Sequence, residues 1–221
     1  MARSTREDLL RRAQTLFASR GFYGTSLANI ADAEGVSKQA LLHHFRSKER
    51  LYGEVLIAIA QHYEVLAEDV SRSHGEPGSW LVAFLHRLYE DARRDPERAQ
   101  LLTRELLDNP SRAENAQSWA LKPFLERLAH AVRQLPGAAS LSQGEALAQV
   151  YPLLGALQYG LLSQPTLKAI LPSREFKAFN QIQERALDAL LGRALEPLTF
   201  SVPKAAQPSN PFAMRTSPDK P

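Results

Sequence analysis

The chain has no cysteine among its 221 residues. Disulfide scaffolds, thiolate zinc sites, iron–sulfur clusters and cysteine nucleophiles are therefore excluded. No apolar run approaches the ~18–20 residues that a membrane span needs. The amino terminus, Met1-Ala2-Arg3-Ser4-Thr5-Arg6, leads into charged residues rather than the apolar stretch of a signal peptide. A cytoplasmic location, away from membranes, is the expectation. The Asn-Gly and Asp-Gly pairs that close tight hairpins are missing, and no run of alternating β-branched residues marks a strand. An all-α fold follows. What remains is ordinary soluble-globular material, 44% hydrophobic and 23% charged, enough at 24.6 kDa for one or two domains.

Helical periodicity runs through most of the chain. Leu9, Ala13, Leu16 and Phe17 form one stripe, and Gly21 stops that helix. Thr25-Ser26 offers hydroxyl caps to a short helix whose buried side is Leu27, Ile30 and Ala31. Gly35 stands where a left-handed residue ends it. Ser37 then caps a helix reaching about Phe45. Ser47 caps a fourth, without the Glu or Gln three residues on that would complete a capping box, since that position is Arg50. The turn Ala33-Glu34-Gly35-Val36-Ser37 supplies the sharp bend and apolar plug of a helix-turn-helix. The fourth helix continues through Val55, Ile59, Tyr63 and Leu66 to about Val70, long enough to leave a small head and enter a body. Further helices are expected at about 79–94, 96–109, 111–135, 143–164 and 173–195, with Pro152 kinking the fourth of these. Six of the last 25 residues are proline, so residues 197–221 read as a disordered tail.

Charge is uneven. Residues 1–53 carry nine Lys or Arg against five Asp or Glu, whereas residues 54–196 carry fifteen against eighteen. A basic head on a mildly acidic body points toward nucleic acid. Catalytic signatures fail: there is no phosphate-binding glycine loop, no nucleophile elbow and no His-Glu-x-x-His. His43 and His44 are adjacent, about 100° apart on a helix, and chelate one metal poorly. No metal, catalytic residue or cofactor is expected. On the third helix, Val36, Leu41 and Phe45 point inward, leaving Lys38, Gln39, Leu42 and His43 outward. Lysine donates to guanine, glutamine pairs with adenine, and leucine suits a thymine methyl. Lys48, at the start of the next helix, suits a phosphate.

The segment Thr25–Leu51, TSLANIADAEGVSKQALLHHFRSKERL, resembles the DNA-binding head of TetR-family transcriptional regulators. The resemblance rests on Thr25, Ile30-Ala31, Gly35-Val36-Ser37, Leu41, His44-Phe45 and Lys48-Glu49, and covers roughly residues 5–53. Two positions depart from it: Gln39 replaces a usual glycine, and Leu42 replaces a tyrosine that reaches a phosphate. The resemblance implies a helix-turn-helix head over residues 1–53 and a helical ligand-binding and dimerisation body over 54–196. It implies DNA contacts from Thr25, Ser26, Ser37, Lys38, Gln39, Ala40, Leu42, His43, His44 and Lys48.

It further implies a homodimer on a palindromic operator in double-stranded DNA, acting as a repressor and released by a small apolar or aromatic effector. The dimer is expected through residues 143–164 and 173–195, with Leu157 and Phe179 at the interface. The effector cavity is expected among Trp80, Phe84, Arg104, Trp119, Phe124, Tyr151, Gln158 and Tyr159. The run Arg104-Glu105-Leu106-Leu107-Asp108-Asn109-Pro110 also has the look of such regulators. Two alternatives stay open: a DNA-binding helical bundle of the same family without a sensing pocket, and an all-helical enzyme.

Overall fold

The computed structural model describes residues 6–108 and 119–194. Among them every regular element is a helix: α1 (Arg6–Arg20), α2 (Leu27–Glu34), α3 (Lys38–Phe45), α4 (Lys48–Ser73), α5 (Pro77–Arg94), α6 (Pro96–Asp108), α7 (Lys122–Arg133), α8 (Gln143–Leu162), α9 (Gln164–Ile170) and α10 (Ser173–Ala194). No helix of the described residues is long and apolar enough to cross a membrane. The proline-rich stretch 197–221 and the expected start of a helix at 111 lie outside the described residues.

α1 to α3 wrap a small core. Leu9, Ala13, Phe17, Ile30, Leu41, Phe45 and Leu51 are all essentially inaccessible to solvent, and burying each of the large ones is worth about 1.5–3 kcal/mol. α4 then runs on without interruption past residues 53 and 54. Its buried stripe begins in the head with Leu51 and Tyr52 and runs through Val55 and Ile59 to Leu66, Ala67 and Val70 in the body. In the body, α5 lies against α4, α6 and α7, while α7 and α8 pack most extensively on each other. α8 stays helical through Pro152. α9 was not foreseen. The helical run breaks at Ser163, and Pro165 in the first turn of α9 starts a new helix at no cost, because that N–H has no helical partner anyway.

Head and body are tied at one joint. Arg104 on α6 donates from Nε to the Ala18 carbonyl (2.7 Å) and from a terminal nitrogen to the Ser19 carbonyl (3.1 Å). These carbonyls belong to the last turn of α1, where a helix has acceptors to spare and favours positive charge. One residue on, Glu105 is 2% exposed, and the Tyr52 hydroxyl of α4 donates to it at 2.7 Å. Lower down, the Thr15 hydroxyl of α1 donates to Glu97 of α6 at 2.8 Å. Gly21 turns the chain away from this joint with φ +73°, and a Cβ there would meet Asp108 at 3.1 Å. Arg104 was expected in the effector cavity; instead it spans the joint, because the end of α1 lies within its reach. Replacing Tyr52 with Phe withdraws a donor from a buried carboxylate and is expected to cost about 1–3 kcal/mol, read as a lower urea midpoint with unchanged slope. An unshifted midpoint would show that this bond adds nothing net.

Candidate nucleic-acid interface

Three serines set the turns of the head. Ser26 accepts from the Asn29 N–H (3.1 Å) while Asn29 accepts in return from the Ser26 N–H (3.1 Å), a capping box built with asparagine. Ser37 accepts from the Ala40 N–H (3.1 Å) and Ser47 from the Arg50 N–H (3.1 Å). At Ser26 and Ser37 the cap uses the hydroxyl as acceptor, so the O–H proton remains able to donate outward. Thr25 differs from the expectation. Its hydroxyl is buried and donates to the Leu16 and Gly21 carbonyls at 3.1 and 2.9 Å. Capping of α2 thus falls to Ser26, and Thr25 braces the turn after α1.

Between α2 and α3 the bend is made by Gly35, in the left-handed region at φ +69°. The Val36 N–H closes back on the Ala31 carbonyl at 3.0 Å, and the Val36 side chain packs partly onto the core. Leu41 and Phe45 hold α3 down. Lys38, Gln39, Ala40, His43 and His44 stand in solvent, while Leu42, expected to be outward, is half-buried. Only its outer edge is presented. Lys48 opens α4 with its Nζ 4.2 Å from the Phe22 ring centroid, a cation–π contact that positions the ammonium. Beside it, the Glu49 backbone N–H and the Ser47 hydroxyl hold the Glu49 carboxyl below the usual range.

Arg46 was not singled out from the sequence. It is exposed between α3 and α4, next to Lys48, with φ +62°, the one non-glycine positive value among the described residues. Nothing in its residue type announces that backbone conformation. The described residues contain no group of three or more His, Asp or Glu side chains able to hold a metal ion.

In the body, the expected cavity residues divide. Phe124 and Gln158 line a cavity of about 70 Å³ together with Tyr63, Leu102, Leu154 and Leu157. Trp80 and Phe84 stack at 5.0 Å between centroids, and Phe84 meets Phe124 at 6.1 Å, so they pack behind the cavity wall rather than on it. The Trp80 indole N–H donates to the Ala67 carbonyl at 3.2 Å. Trp119 packs half-buried against the core ahead of α7. Tyr151 and Tyr159 are exposed at 46% and 80%. Eight residues apart, they share a face of α8 opposite Val150, Leu153, Leu157 and Leu161, which took the inside. Leu157, expected at a dimer surface, is therefore a core residue.

The head also carries a sequence signature. Residues 9–55 match the family model described as "Bacterial regulatory proteins, tetR family". Over 53 residues the chain is 47% identical to the HTH-type transcriptional repressor KstR2 of Mycolicibacterium smegmatis, a stretch that makes up 24% of this chain and 26% of that protein. The chain thus matches about a quarter of the length of that curated relative. Among solved structures, a tetR family transcription regulator from Shewanella sp. PV-4 superposes with a TM-score of 0.64 at 24% identity, over 87% of this chain and 98% of the other. The ketosteroid transcriptional regulator KstR2 of Mycobacterium tuberculosis superposes at 0.58 and 21% identity, over 87% and 96%. At those identities the likeness is one of fold. Residues 9–55 thus carry the signature of the tetR family of bacterial regulatory proteins, and the chain as a whole shares the fold of the regulators it superposes on.

Proposed function

We propose that the chain is a DNA-binding transcriptional repressor that holds a palindromic operator as a homodimer in the cytoplasm and is released by a small, largely apolar ligand. The carrying observation is the exposed polar row of α3, flanked by capping serines on one side and Lys48 on the other. Ser26, Ser37 and Lys48 hold phosphates; Lys38 and Gln39 read base edges. Ala40 and the outer edge of Leu42 meet sugar or thymine methyl, and His43 and His44 border the groove. Arg46 joins Lys48 as a phosphate contact. Thr25 leaves the contact set, its proton being engaged inside. The repressor role follows the name of the curated relative. The enzyme alternative is disfavoured by the tetR-family signature of the head, and the bundle without a sensing pocket by the apolar cavity beside Phe124.

A division at residues 1–53 and 54–196 describes labour rather than a break in the chain, since α4 crosses it. A twofold dimer suits two half-sites about one helical turn, ~34–36 Å, apart. The outer faces of α8 and α10 serve as its interface: Tyr151 and Tyr159 on one, Ile182 and Leu190 on the other, are all exposed, and the two helices touch. The ligand, seated in the body, shifts the heads by favouring one arrangement of α4 and α6 over another.

Two tests follow. Lys48→Ala is expected to weaken binding to specific and scrambled duplexes alike and to lower the log–log salt slope by about 0.9. Gln39→Ala is expected to cost about 1–3 kcal/mol on the specific duplex and little on the scrambled one. Equal losses on both duplexes would remove Gln39 as a base reader, and normal binding by a Lys38, Gln39 and Lys48 triple-alanine variant would end the docking scheme. For assembly, Tyr159→Glu with Ile182→Glu is expected to give a folded monomer by sedimentation. A variant that stays dimeric places the interface elsewhere.

A further inference from the structure

A second space adjoins the apolar cavity. It is an open cleft of about 280 Å³ between α5, α6, α8, α9 and α10, and it shares Ala92 and Leu161 with the 70 Å³ cavity as a common wall. The combined space sits at the small end of the ~300–1,000 Å³ that small-molecule sites occupy. The two parts differ in chemistry. No charged side chain lines the inner cavity, whose polar groups are the Gln158 amide and Tyr63. The outer cleft carries one cation and one anion, Arg93 and Glu184, set among Gln100, Gln164 and Asn180. A ligand filling both parts is therefore apolar at one end and polar at the other, because a charge in the inner part would be stripped of water without a counter-ion.

Arg93 and Glu184 are hydrogen-bonded to each other across the mouth of this cleft. The two partners are not held alike. The Arg93 guanidinium also lies over the Tyr89 ring, 5.7 Å from its centroid, on a helix whose Trp80, Leu81, Phe84, Leu85, Leu88 and Tyr89 are buried. Glu184 belongs to α10, of whose described residues only Leu187 and Leu191 are buried. An incoming anion takes the place of Glu184 and leaves the arginine where it is. An incoming cation would have to expel an arginine that has a second hold. A planar guanidinium also offers paired donors that match a carboxylate.

We propose that this site binds a carboxylate amphiphile, its head on Arg93 in place of Glu184 and its short apolar tail in the cavity behind Leu161. The proposal rests on the ligand-release reading above and gives it a ligand class and a lever. Loss of the Arg93–Glu184 bond removes a side-chain tie between α10 and α5, leaving among the described residues the His86–Asp188 contact at 3.6 Å. α10 is then free to shift relative to α5.

The test uses the full chain and calorimetric titration with octanoate, 1-octanol and octyltrimethylammonium. Octanoate is expected to bind roughly tenfold or more tighter than octanol, and the cation not at all. Arg93→Gln is expected to bring octanoate down to the octanol level, with Arg93→Lys keeping most of the preference. Glu184→Gln is expected to tighten octanoate several-fold and leave octanol unchanged, which loss of a merely structural bond would not do. Equal affinity for acid and alcohol, tighter binding of the cation, no binding of octanoate, or weaker octanoate binding by Glu184→Gln would each overturn the proposal. Affinity for the footprinted operator duplex, measured in the same samples, separates the two readings. Bound octanoate with unchanged DNA affinity removes ligand release and keeps the site; equal release by octanol and octanoate keeps ligand release and overturns the anionic site.

Discussion

The orientation of the head depends on two neighbouring residues of α6. Arg104 satisfies the carbonyls that α1 leaves open at its end, and Glu105, buried, takes the Tyr52 hydroxyl of α4. One helix of the body thereby grips α1 and α4, the helices that flank the α2–α3 turn. Surface ion pairs such as Arg11–Asp8 at 3.7 Å contribute little, being solvated and screened. A buried carboxylate is different: leaving it without its donors is expensive, which holds this joint in the observed geometry.

The head itself is built from short-range devices. Serine hydroxyls cap α2, α3 and α4, a left-handed glycine separates the first two, and Leu41 and Phe45 anchor α3 from beneath. With its inner side so constrained, α3 presents Lys38, Gln39 and His43 on a rigid support. Such a support suits the proposed base reading, because base-edge hydrogen bonds are directional.

The body divides its apolar residues between two tasks. One face of α8, through Val150, Leu157 and Leu161, closes the core and walls the small cavity; the other, through Tyr151 and Tyr159, remains outside. α10 is held to the core by Leu187 and Leu191, with polar ties through Arg93–Glu184, His86–Asp188 and Gln164–Gln183.

The sequence alone determined what depends on neighbours within about four residues. The stripe Leu9, Ala13, Phe17, the caps at Ser26, Ser37 and Ser47, the stop at Gly35 and the inward Leu41 and Phe45 all rest on helical periodicity and local hydrogen bonds, and the family pattern spans this same segment. Tertiary structure decided what depends on distant partners. Thr25 faces inward because two carbonyls, of Leu16 and Gly21, converge on it, and Arg104 reaches a helix end 86 residues away. α8 is apolar on both sides, so its pattern did not say which side is core; α7 and α6 settled that by covering Leu157 rather than Tyr159. Periodicity shows that a helix has an apolar face, but only the element packed against it determines which face is buried.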